Sequence, residues 1–185
     1  MIVRTLCAAL AAGLVALSAP ARADQTDARL IPLFQTLQRT NDLAQVQVTV
    51  LQIWQIWYET PNMQAAELLQ AGERDVTRGR YDDALAAFDR LVAIAPAFAE
   101  AWNRRATALY LLGDFEGSIA DCLKVLLLEP RHFGALWGLA EMRRARGEDA
   151  LALEAYERAL AVNPHQGDSR DAVRELRAKL KGRAL

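Results

Sequence analysis

The sequence predicts an all-α chain in which pairs of helices stack in tandem. Three observations carry this. Pro96, Pro130 and Pro164 follow one another at intervals of 34 residues, and Gly79, Gly113 and Gly147 keep the same step. Between these breakers the same kinds of side chain recur in register. Small residues stand at Gly72, Ala106 and Ala140 and at Ala84, Ser118 and Ala152; large apolar ones stand at Leu68, Trp102 and Leu136. Two unrelated helix breakers holding one period mark a repeated unit rather than a single irregular bundle.

Each unit reads as two amphipathic helices, A and B. The glycine ends helix A, because the left-handed conformation past a helix end suits a residue without a Cβ. Helix B starts near Asp82, Asp114 or Glu148, where a carboxylate suits the positive end of the helix dipole. Proline then stops B and turns the chain. Before the units, Leu30, Leu33, Phe34 and Leu37 mark a short helix. Asn41 and Asp42 cap a longer one, along which Leu43, Val46, Val50, Ile53 and Trp57 keep helical spacing. Gln45–Val50 alternates like a strand, but the helical period persists over four turns and no partner strand is in sight, so helix is the expectation. Its aromatic end, Ile53 to Trp57, is expected to seal the front of the first unit. After the units, residues 167–181 form a charged helix with Val173, Leu176 and Leu180 on one face, a polar-backed cap for the last apolar surface.

The 34-residue helix–turn–helix unit, with its small, aromatic and proline positions, resembles the tetratricopeptide repeat (TPR) family over about residues 65–164. The resemblance implies an α-solenoid of three TPR helix pairs with two N-terminal helices and one C-terminal capping helix. The corresponding division is 1–23 leader, 24–64 N-terminal pair, 65–98, 99–132 and 133–166 the three repeats, and 167–185 the cap and tail. Some positions depart from the family pattern. Asp75 and Arg143 stand where helix A usually carries Tyr. Asp149 stands where the other units carry Tyr81 and Phe115, which predicts looser packing at the third turn.

Met1–Ala23 reads as a cleavable signal peptide: Arg4, an uncharged run from Leu6 to Ala19, Pro20, then Ala21-Arg22-Ala23, with cleavage expected after Ala23. The run is too short and alanine-rich for a retained span, so no membrane insertion is expected after cleavage. The expected location is the periplasm or the exterior of a bacterium. Loss of the leader removes Cys7 and leaves Cys122, so packing rather than a disulfide holds the mature chain.

Composition narrows the function. With 22 Lys+Arg against 23 Asp+Glu, the formal charge is −1, unlike a nucleic-acid binder that needs a basic excess. No nucleophile elbow, zinc-protease helix or phosphate loop occurs, so no catalytic residue, metal or cofactor is assigned. His132 and His165 read as helix-boundary residues and Cys122 as a small core side chain.

A stack of pairs curves, and its inner wall is made of A helices. One face of each A helix carries Leu69, Glu73 and Val76; Asn103, Thr107 and Tyr110; and Trp137, Glu141 and Arg144. Rings supply buried area and Asn103 can bond a peptide backbone, so this wall suits an extended peptide or protein segment. One TPR subtype clamps a C-terminal carboxylate. Here Leu69, Glu73, Arg104, Gly134 and Gly138 stand at the clamp positions; only Arg104 could serve, and Glu73 has the opposite charge. The expected function is therefore a non-enzymatic adaptor for an envelope protein or peptide, with the nine candidate groove residues Leu69, Glu73, Asn103, Arg104, Thr107, Tyr110, Trp137, Glu141 and Arg144. Two alternatives stay open: an envelope enzyme using Glu73 and Glu141, and a groove already occupied by the chain's own Trp54/Trp57 helix.

Overall fold

The structure, a computed structural model, describes residues 27–183; the leader lies outside the described residues. Among these residues there are nine helices and no strand. They are α1 (Leu30–Arg39), α2 (Leu43–Trp57), α3 (Met63–Thr77), α4 (Tyr81–Ile94), α5 (Ala99–Leu111), α6 (Phe115–Leu128), α7 (Phe133–Ala145), α8 (Asp149–Val162) and α9 (Gly167–Arg183). None is long and apolar enough to cross a membrane. Helices α3/α4, α5/α6 and α7/α8 are the three pairs, each packed against the next.

The 34-residue step acts through backbone conformation. Gly79, Gly113 and Gly147 have φ of 71°, 83° and 74°, the left-handed region that lets α3, α5 and α7 end and the chain reverse. The small residues set how closely a pair can pack. A Cβ on Gly72 would overlap the Phe88 ring of α4, and Ser118 of α6 donates to the Ala106 carbonyl of α5 at 2.6 Å. Apolar side chains of α5–α9 form one continuous core, with Tyr156, Leu136 and Leu176 all but fully buried.

The departures from the repeat pattern are filled by charge pairs. Asp75 accepts from Arg80 across the first turn, and Arg143 donates to Glu148 at 2.7 Å across the third, with the signs reversed. Asp149 is buried and meets Lys179 of α9 at 2.9 Å. The third turn is thus closed by the capping helix rather than left loose.

Both N-terminal helices form, and the strand-like stretch is helical. Asp42 caps α2 by accepting from Ala44 N at 2.9 Å, and Val46, Thr49, Ile53 and Trp57 are its buried stripe. The placement of the pair differs from expectation. Its buried aromatic face does not cover the core of the first repeat; it docks on the third pair. Phe34, Ile53 and Trp57 cluster with Phe133 of α7, and Val162 of α8 packs beside them. Gln38 donates to the Ala161 carbonyl at 3.1 Å, and His165 donates through Nε2 to the Leu37 carbonyl at 3.0 Å. Two features at the start of α7 receive the hairpin. The His132 ring stacks on Trp57 with centroids 4.1 Å apart, and Gly134 leaves room for Trp54, since a Cβ there would come within 2.8 Å of the indole.

Candidate functional site

The concave wall is made by α3, α5 and α7, and its main feature is a cavity of about 490 Å³ between the second and third repeats. Helix α5 contributes Asn103, Arg104, Thr107 and Tyr110. Helix α7 contributes Gly134, Trp137, Gly138, Glu141 and Met142. Trp54 of α2 closes one side. Tyr110 and Trp137 keep 46% and 40% of their surface exposed, unusual for rings on an otherwise well-packed array, and so present apolar area to whatever enters.

Six of the nine predicted groove residues line this chamber: Asn103, Arg104, Thr107, Tyr110, Trp137 and Glu141. Three do not. Leu69 is buried with Ala65, Leu68 and Phe88; at its point on α3 the apolar stripe faces α4, so it belongs to the core. Glu73 lines a smaller neighbouring cavity with Val76, Arg104 and Thr107. Arg144, at the last turn of α7, pairs with Glu175 of α9 at 2.8 Å. Glu73 and Glu141 thus line different cavities.

Beneath the chamber floor sits a polar network with one buried carboxylate at its centre. Glu100 is inaccessible to solvent and accepts from Arg104 Nε at 2.5 Å, from Asn103 Nδ2 at 3.1 Å and from His132 Nε2 at 3.1 Å. The His132 tautomer follows from its other nitrogen. Nδ1 accepts from Ala135 N at 3.0 Å, capping α7, so the proton is on Nε2 and points at Glu100. Burial raises the Glu100 carboxyl above its ordinary range, opposed by the bonds from His132 and Asn103. Burial also lowers the Arg104 guanidinium to about 10. Arg104 lies 3.7 Å from Glu73 and 4.7 Å over the Tyr58 ring. It is therefore fixed from three sides, and so are the Asn103 and Arg104 faces of the chamber.

The far wall is set by Tyr156, which is buried and donates its hydroxyl to Glu141 Oε1. Burial and that bond raise the phenol well above its usual range. Cys122 lines the chamber's floor, and burial pushes its thiol up to about 12, so it acts as an apolar surface rather than a nucleophile. Among the described residues no cluster of His, Cys, Asp and Glu could hold a metal ion.

Sequence reasoning missed Glu100 as part of the site, and it set Gly134 and Gly138 at the clamp positions without counting them among the groove residues that line the chamber. Glu100 looks like an ordinary first-turn acid of α5, and only the pairing with His132, the N-cap of α7, gives it a buried role. Trp54 was in view as a possible occupant of the trough. It proves to be a wall of it, while Trp57 lies deeper against His132.

Stacked helical hairpins around a concave, aromatic-lined wall define a helical-repeat interaction domain. A sequence model of the tetratricopeptide repeat matches residues 69–129. A TPR repeat-containing protein of Rhizobium etli is 35% identical over 154 residues, covering 83% of this chain and 76% of that protein. The chain belongs to the TPR repeat family. It is also similar to the Hsp70-Hsp90 organizing protein of Triticum aestivum, at 29% identity over 54% of this chain and 17% of that protein. Among solved structures, the TPR2B domain of yeast Sti1 in a complex with Hsp70 matches with a TM-score of 0.59 and 27% identity, over 64% of this chain and 99% of that one. The first TPR of Spaghetti (RPAP3), bound to the HSP90 peptide SRMEEVD, matches with a TM-score of 0.62 and 23% identity, over 64% and 94%. That second likeness is one of fold.

Proposed function

We propose that this protein is a non-enzymatic adaptor of the bacterial envelope, exported by its N-terminal leader, that holds a segment of a partner protein against its concave wall. The chamber carries this reading. Rings from α2, α5 and α7 converge there with Asn103 and Thr107, giving apolar area for a side chain and polar groups for a peptide backbone. The similarity to the Sti1 domain, which is held in an Hsp70 complex, supports a peptide or protein partner. Export is supported by Arg4, the Leu6–Ala19 run and Ala21-Arg22-Ala23.

The test compares the mature chain with its Asn103→Ala/Tyr110→Ala/Trp137→Ala variant, both immobilised and exposed to native envelope extract. The wild type should retain a defined set of proteins that the variant loses while its helical circular dichroism is unchanged. Equal retention by both would refute the groove assignment.

A further inference from the structure

We infer that the chamber receives a cationic side chain, a lysine or arginine projecting from the partner segment. This rests on the reading that the concave wall binds peptide, and it specifies the chemistry of the residue that enters.

Two charged side chains line the chamber, Arg104 and Glu141. Arg104 is already answered. Glu100 holds its Nε at 2.5 Å, Glu73 stands 3.7 Å away, and the Tyr58 face lies under the guanidinium. It has little attraction left for an anion. Glu141 is the opposite case. Its Oε1 takes the Tyr156 hydroxyl, a neutral donor, and among the described residues it enters no ion pair. The nearby cation, Arg144, pairs with Glu175 at 2.8 Å and also reaches the Tyr156 hydroxyl, so it acts on Glu141 through that hydroxyl and at longer range rather than by a direct ion pair. Glu141 is therefore the chamber's carboxylate without a direct ion pair, whereas Arg104 has two carboxylates against it.

The rest of the lining fits the same guest. Trp54, Tyr110 and Trp137 line it, and the face of an aromatic ring carries a negative quadrupole that attracts an ammonium or guanidinium. Leu111, Cys122 and Met142 offer apolar contact for the aliphatic stem of such a side chain. A carboxylate entering the chamber would instead meet Glu141, with Glu73 close behind Arg104, and only one cation that is already neutralised. An acidic tail like the SRMEEVD peptide seen with the Spaghetti domain is thus disfavoured by charge at the place where this wall is deepest.

The experiment uses the full mature chain and a positional-scanning library of N-acetylated, C-amidated decapeptides, so that terminal charges play no part. Binding is read by tryptophan emission, and the tightest peptide is titrated against wild type and Glu141→Gln. Glutamine keeps an acceptor for Tyr156 and removes only the charge. The expected result is selection of lysine or arginine at one position and roughly tenfold or greater weakening in Glu141→Gln, with affinity falling as salt rises. Selection of aspartate or glutamate would overturn the inference and leave peptide binding standing. Selection of basic residues with no loss in Glu141→Gln would overturn the chamber as their site. No binding by any pool would overturn this inference and the peptide reading together.

Discussion

Helix α9 and the α1–α2 hairpin both cover apolar surface left open by three stacked pairs, but α9 continues the stack and the hairpin leaves it. Ala172, Val173 and Leu176 of α9 join the same core as Tyr156 and Ala159 of α8, and Lys179 reaches back to Asp149. The hairpin has its own cluster, built with Phe133, and touches the third repeat through side chains more than the first repeat to which it is covalently joined. A flank that shares the core shares its cooperativity, whereas a flank with a separate cluster can open by itself.

Substitutions at the two flanks test that contrast. Trp57→Ala removes a ring packed on Phe34, His132 and Phe133 and should cost about 3–5 kcal/mol. The loss should be confined to the hairpin: hydrogen exchange in α1–α2 speeds up while α5–α8 keep their protection. Uniform loss of protection would make the hairpin part of the array's cooperative unit. Leu176→Ala should cost about 2–5 kcal/mol and lower the urea midpoint of the whole array, because that side chain lies in the shared core. A smaller effect is expected at the hairpin's seat. In Gly134→Ala the new methyl would crowd Trp54, at about 1–3 kcal/mol, partly offset by about 1 kcal/mol of better helix propensity. Red-shifted tryptophan emission with unchanged helicity is the expected signature; an unshifted spectrum would mean that Trp54 does not depend on that gap.

The smallest effect concerns the wall shared by α3 and α5. Burial raises the Glu73 carboxyl, so the folded chain binds its proton more tightly than the unfolded chain does. That contribution to stability is full below the unfolded value of about 4.5 and is lost as pH rises through the higher folded value. Glu73→Gln should therefore gain on wild type in urea midpoint between pH 4 and pH 7. A difference that does not change with pH would show that Glu73 titrates alike in both states.

Much of the array was legible because it repeats. Pro130 and Gly113 mean little alone, but each is explained by its copies 34 residues away, and the helix ends fall where the breakers stand. The wall was legible for the same reason: Asn103, Thr107 and Tyr110 share a face at helical spacing. Leu69 was misplaced because one turn of α3 decides between core and groove, and spacing alone does not say which side of a narrow stripe faces the neighbouring helix. The hairpin's destination was hidden for a different reason. Gly134 and His132 acquire meaning only when Trp54 and Trp57 arrive from 80 and 75 residues earlier, and nothing periodic connects the two segments. Glu100 was hidden likewise, since its partner His132 stands at the other end of the repeat, where it caps α7.

The seating of the hairpin has a mechanical consequence. A helical-repeat array behaves as a spring, opening and tightening through small rotations at each joint between units. Here the α1–α2 hairpin leads directly into α3 at one end of the arc and is fastened at the other, α2 through Trp57 on His132 and α1 through Gln38 and Leu37 to Ala161 and His165. It works as a chord tied across a bow: while the hairpin stays seated the curvature is restrained, and releasing the hairpin would free the bow to bend.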